Sequence, residues 1–277
     1  MQMLENIPWY GYVILFVASA SYAIRYFKIG KKEYDAPDKT KAKFRKSPNS
    51  ELNEEQLFGL ALYTPISEWW KANTNTLSFL NAKDVRPYLE GWGIDTVEGY
   101  WNLTEYFMKD GRRWYFDFIQ RMIENEPQEK WGELMDQKFG SNERAHRYLK
   151  TLSSGEALNT LKQKGIIIFD SELQLGVAGY DATVLVGQAR KAYTGNLISE
   201  EEAWKVINFA KALALQHFSS WEDFGKSFAL GFTIDMSADS STYKEEVYHL
   251  YKQVLENPDS PWNTIKWQTS LISNNIM

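Results

Sequence analysis

Helix boundaries are written into the stretch from Tyr180 to Asp235 more plainly than anywhere else in the chain. They confine it to three helices joined by two tight turns. Gly195 ends the first periodic run, at a position where a residue without Cβ accepts positive φ. Ser199 stands three residues before Glu202. That is the spacing of a capping box, in which hydroxyl and carboxylate each take one free N–H. Glu200 and Glu201 add negative charge at the positive end of the same helix. Ala203, Ile207, Ala210 and Ala214 then recur at helical spacing and give it a small, apolar face. Ser220 caps the third helix, whose buried stripe is predicted to be Trp221, Phe224, Gly225, Phe228 and Phe232. Gly225 and Gly231 weaken helix propensity by about 1 kcal/mol each relative to Ala. The expected return is close approach by a neighbouring helix.

The same punctuation extends upstream and downstream. Asn53 with Gln56 opens a helix towards Trp70, with a break expected at Pro65. Asp84 is expected to start a short helix that Gly91 ends. Asp95 with Glu98 starts another, closed at Gly111. Further helices are predicted at 114–124, 128–138, 142–152, 154–164 and 243–256. Ile166 to Phe169 is the one strand-like run, and no second strand is evident to pair with it. The expected fold is therefore all-α: a compact multi-helix globular domain over residues 52–277.

Residues 1–27 read differently. No charged residue lies between Glu5 and Arg25. As a helix that run spans about 28 Å, close to the hydrocarbon thickness of a bilayer. Trp9, Tyr10 and Tyr12 suit one interface, and Tyr22, Tyr26 and Phe27 the other. Ala18-Ser19-Ala20 could serve as a signal-peptide cleavage site, but the basic n-region of such a peptide is missing. A single N-terminal transmembrane helix is the expectation, with residues 7–27 in the bilayer. From Arg25 to Lys46 basic residues outnumber acidic ones nine to three. That predicts a linker over residues 28–51 that stays on the cytoplasmic side and meets anionic headgroups. Pro37 and Pro48 mark it as extended or disordered.

Within the helical domain, the blocks Ile198-Ser199-Glu200-Glu201-Glu202-Ala203-Trp204 and Phe218-Ser219-Ser220-Trp221-Glu222-Asp223-Phe224-Gly225-Lys226-Ser227 resemble a bacterial family called domain of unknown function 1266. Gly91-Trp92-Gly93-Ile94 and Pro258-Asp259-Ser260-Pro261-Trp262 also fit, so the resemblance covers roughly residues 52–267. It implies a helical fold, a bacterial source and no known reaction. The family's pattern carries a Trp-Asp pair with an Arg one turn later. Here Tyr180 stands for the Trp, Asp181 is kept and Val184 stands where the Arg would be.

Chemistry is sparse. The absence of Cys excludes disulfides, thiolate catalysis and Cys-ligated metals. A formal charge of −5 argues against general nucleic-acid binding. His146, His217 and His249 lack metal-ligand spacing, and no nucleophile-elbow, phosphate-loop or dinucleotide motif occurs. No catalytic residue, metal or cofactor is expected. Glu200 to Glu202 are explained by capping. Asp181 reads as an N-cap. Arg190, between alanines in an apolar helix, is expected to pair with Asp181 or Glu202. Trp204 and Trp221 read as core. A binding groove along these helices would draw on Asp181, Arg190, Glu202, Trp204, Trp221 and Asp223. The functional expectation is a membrane-tethered interaction protein that binds a protein partner at the cytoplasmic face of a bacterial inner membrane. Toxin neutralisation and envelope maintenance both fit it. The alternative is a membrane-anchored enzyme, a carboxylate-based hydrolase working in a helical groove.

Overall fold

The computed structural model describes residues 42–79, 82–237 and 242–268. Among these, every regular element is helical and no strand occurs. Helices α1 (Glu54–Ala61) and α2 (Thr64–Trp69) open the domain. Helices α3 (Ala82–Gly91), α4 (Val97–Lys109) and α5 (Arg113–Asn125) follow. A 3-10 turn, Gln128–Lys130, leads into α6 (Trp131–Phe139), then α7 (Glu143–Ser153) and α8 (Glu156–Gln163). A second 3-10 turn, Asp170–Leu175, precedes α9 (Ala178–Thr194), α10 (Glu200–His217) and α11 (Trp221–Asp235). Helices α12 (Thr242–Glu256) and α13 (Pro261–Thr264) close the described chain.

Helix α9 is the axis, with 15 of its 17 residues buried. Its small and apolar residues lie on every face, and a helix of that kind has no side to offer water. α10 and α11 pack along it, α3 and α4 lean against it, and α12 bridges α11 and α2. The close approach expected of the glycines is present. A Cβ on Gly231 would meet Tyr180 Cβ at 2.4 Å, and one on Gly225 would meet Tyr251 Cε2 at 2.6 Å.

The capping boxes at Asn53/Gln56 and Ser199/Glu202 form as expected, and Ser220 Oγ accepts from Asp223 N. Other boundaries differ for local reasons. α1 ends before Pro65, which instead sits in the first turn of α2, where no intrahelical partner awaits its missing N–H. Thr96, rather than Asp95, caps α4. α3 begins two residues before Asp84. The left-handed residue after α9 is Asn196, at φ 58°, and Gly195 keeps negative φ. Asn tolerates that region because its short amide bonds locally. Ile166 and Ile167 are buried as a linker, whereas Ile168 and Phe169 stand 63% and 65% exposed without strand pairing.

The linker expected to run to residue 51 joins the domain earlier. Ala42 and Phe44 are buried, and the N–H groups of Lys43 and Phe44 donate to the buried Glu68 carboxylate at 3.1 and 3.0 Å. Ser47 N donates to Asn75 Oδ1 and Ser47 O accepts from Asn75 Nδ2, and Thr74 N donates to Arg45 O. Residues 42–50 are thus stitched to the loop after α2. The anchor expected over 1–27 and the linker up to residue 41 lie outside the described residues. Among the described ones, no helix is long and apolar enough to cross a membrane.

Candidate functional site

One face of α9 carries Tyr180, Val184, Gln188 and Lys191, spaced by helical turns. It forms one wall of a half-open cavity of about 330 Å³. Ile66 and Trp69 of α2 and Trp70 at its C-cap face it, with Tyr88 of α3 and Trp92 just beyond. Phe228 and Phe232 of α11, with Tyr243 of α12, complete the lining. The aromatic wall is built edge to face: Trp70 meets Trp69 at 4.7 Å, Tyr88 at 4.1 Å and Phe79 at 5.8 Å between ring centroids. Such T-shaped contacts set the electropositive ring edges against neighbouring faces. Among the described residues no carboxylate lines the cavity.

Its polar groups are few, and the Tyr180 and Thr183 hydroxyls and the Trp69 indole among them are hydrogen-bonded. Lys191 is 7% exposed and its ammonium makes no hydrogen bond or ion pair. It lies 5.6 to 5.9 Å from the ring centroids of Tyr63, Trp70 and Phe79. Burial, reinforced by the neighbouring Arg190, pushes its pKa down to about 8. The Gln188 side-chain oxygen and the Tyr63 hydroxyl are buried without partners. Burial also raises the Tyr63 phenol well above its ordinary range, so it stays protonated.

Arg190, one residue earlier, is handled in the opposite way. It is fully buried and reaches no carboxylate among the described residues. Its guanidinium instead donates to Ser67 Oγ at 2.7 Å and to the carbonyls of Asn73 at 2.7 Å and Thr76 at 3.0 Å. The expected pairing with Asp181 or Glu202 does not form, because five rigid N–H donors find a loop of converging carbonyls on their own side of the helix. Burial still lowers its pKa to about 10. Arg190 fixes the 67–78 loop, and that loop supports Trp69 and Trp70 beside the cavity.

Asp181 does cap a helix, but not its own. Its carboxylate accepts from Arg112 N at 2.8 Å and Arg113 N at 3.1 Å, at the start of α5. Arg113 Nη1 adds an ion pair at 2.9 Å. The Arg missing from position 184 is thus replaced, for Asp181, by one from another helix, and Val184 faces the cavity instead. A second buried pair, Arg112 with Asp235 at 3.0 Å, takes the Tyr180 hydroxyl at 2.9 Å and ties α5 to α9 and α11.

The six residues singled out in the sequence do not converge. Glu202 is occupied by Ser199, and the Trp204 indole donates to Glu200 from a half-buried position. Trp221 is 7% exposed, stacks on Trp262 at 5.4 Å and donates to Ile265 O. Asp223 lies in the first turn of α11 beside Ser219 and Ser220. None of the six lines the aromatic cavity. Its key residues went unread, although one signal was available: a helix apolar on every face must bury Lys191 as well as Arg190. The histidines do not gather, and no three metal-binding side chains cluster among the described residues.

An all-helical domain built around a fully buried central helix, with one aromatic cavity beside it, is the class that fold and site define. The chain belongs to the family described as "Protein of unknown function (DUF1266)", matched over residues 89–267. The α2 and Tyr88 wall of the cavity precedes that span. No curated protein and no solved structure matches the chain.

Proposed function

We propose that the domain is a receptor for a small, mostly apolar ligand, and that the aromatic cavity is where it binds. One observation carries the reading: a concave site of about 330 Å³, lined by aromatic rings with a few convergent polar groups. That is the usual form of a small-molecule pocket. The carboxylate-based hydrolase draws no support from this cavity, which no carboxylate of the described residues lines. A protein partner would have to meet it through a single inserted side chain, and its concavity favours a small molecule.

Titrating the full-length protein with the neutral fluorophore N-phenyl-1-naphthylamine tests the reading. Saturable binding is expected in the wild type. Val184→Phe, which fills the cavity from α9, should abolish it without lowering the melting temperature. Non-saturable uptake, or binding indifferent to that substitution, overturns the proposal.

We place the receptor at the cytoplasmic face of a membrane. The charge-free run before Arg25 and the basic excess after it support this. A reporter active only outside the cytoplasm, fused to the C-terminus, should then stay silent, and strong activity overturns the placement.

A further inference from the structure

Among the described residues the cavity holds a cation without an anion, and this is the least explained feature of the domain. An isolated buried ammonium is costly and is normally paired or neutralised. Here the described lining supplies no carboxylate to pair it. The charged and titratable groups around Lys191 are Arg190 on its own helix, Tyr63 from the α1–α2 turn, Tyr88 from α3, Tyr180 from α9 and Tyr243 from α12. Another cation and four phenols cannot compensate a positive charge. The rings of Tyr63, Trp70 and Phe79 offer only their faces.

Resting on the receptor reading above, we infer that the ligand is an amphipathic monoanion: an aromatic or acyl body with a carboxylate head held by Lys191. The two other unsatisfied groups fit that head. Tyr63 keeps its proton and can donate to a carboxylate oxygen. The Gln188 amide, turned over, presents N–H in place of its unpartnered oxygen. The apolar body then fills the space between Trp70, Val184 and Phe232. The anion supplies the missing counter-charge and draws the ammonium back towards its ordinary range. Above about pH 8, where the free site has begun to shed its proton, binding must take one up.

Calorimetric titration of the full-length protein with 2-naphthoate and with its neutral near-isostere, methyl 2-naphthyl ketone, tests this. Buffer and any detergent are titrated as blanks. At pH 7 the wild type should prefer the naphthoate by roughly tenfold or more, as a charge-assisted hydrogen bond implies. Lys191→Met should erase the preference while keeping the ketone's affinity. At pH 9.5 the wild-type preference should shrink. At pH 8.5 the heat of naphthoate binding should differ between buffers of unlike ionisation enthalpy, which reports proton uptake. These pH arms need no variant. Equal or tighter binding of the ketone to the wild type overturns the anion inference and leaves the receptor reading standing. An undiminished naphthoate preference in Lys191→Met also overturns it. Saturable binding of neither probe overturns both.

Discussion

Two aromatic clusters flank the central helices, and they are finished differently. Around α11 and α13, Trp221, Phe224, Trp262 and Trp267 close on Phe58, with centroids 4.8 to 6.1 Å apart. Both buried indoles there are satisfied: Trp221 donates to Ile265 O and Trp262 to Ala61 O, each at 2.8 Å. Around α2 and α3, Trp69, Trp70 and Tyr88 stand round a gap, and two polar atoms of its lining, the Tyr63 hydroxyl and Gln188 Oε1, lack partners. The first cluster is core, where close packing and satisfied polar atoms go together. The second has the same residue types, but it leaves a gap and two buried polar atoms without partners. Composition alone does not tell the two clusters apart.

The largest effect should separate the clusters directly. Trp221→Ala removes a buried ring and orphans the Ile265 carbonyl, which should destabilise the domain by about 3–5 kcal/mol. That is comparable with the whole stability of a marginal domain. Trp70, half-buried at the cavity rim, should lose only about 1–2 kcal/mol on replacement by Ala, but the variant should bind the neutral fluorophore more weakly. Urea melts of the two variants check the order. Equal losses would mean that the open cluster is as much core as the closed one.

The next effect concerns what holds the open cluster in place. Deleting residues 1–41 leaves the segment that carries Ala42 and Phe44, whereas deleting 1–46 removes it. The longer deletion exposes the Phe44 site, worth about 1.5–3 kcal/mol. It also strips two N–H donors from the buried Glu68, which retains Lys71 at 3.6 Å. Fragments starting at residue 42 should therefore melt cooperatively and higher than those starting at residue 47. The shorter fragment should lose probe affinity first, because it lacks Arg45, which donates to Lys71 O and accepts from Thr74 in the loop behind Trp70. Identical melts would return residues 42–46 to the linker.

Legibility in the sequence follows the range of the interactions. Helices came through because their signals are local: Ser199 and Glu202, or Asn53 and Gln56, satisfy free N–H groups within one turn. The family resemblance rested on the same capped stretches. The cavity did not come through, because Tyr63, Trp70 and Tyr88 reach α9 from roughly a hundred residues upstream and no local pattern records that meeting. Arg190 shows the limit most sharply. A sequence displays carboxylates as potential partners and hides backbone carbonyls, so the guanidinium was matched to Asp181 or Glu202. Its acceptors are mostly carbonyls of the 73–78 loop. Asp181 was recognised as a cap, but for the wrong helix, because the N-terminus of α5 is brought to it only by the fold.

The smallest effect has the opposite sign and bears on Lys191 alone. Its pKa falls from an ordinary 10.5 to about 8 on folding. Below about pH 8 the ammonium is charged in both folded and unfolded chains, so its burial penalty is fully present. Between about 8 and 10.5 the folded protein sheds its proton first, the unfolded state binds more protons, and stability rises with pH. Lys191→Met removes the penalty, so at neutral pH the variant should be more stable by about 1–3 kcal/mol. That advantage should vanish towards pH 10. Arg190 in the folded protein and the tyrosines in the unfolded chain titrate at the upper edge of this window and are common to both proteins, so the difference between the two isolates the lysine. Urea denaturation of both between pH 6.5 and 10 measures it. A variant less stable than the wild type at every pH would show that Lys191 is already compensated in the free domain. The open cluster would then be only an imperfectly packed core. A stability gain that disappears as pH rises would mark an ammonium kept at the protein's expense, which is the signature of a site that waits for its counter-charge.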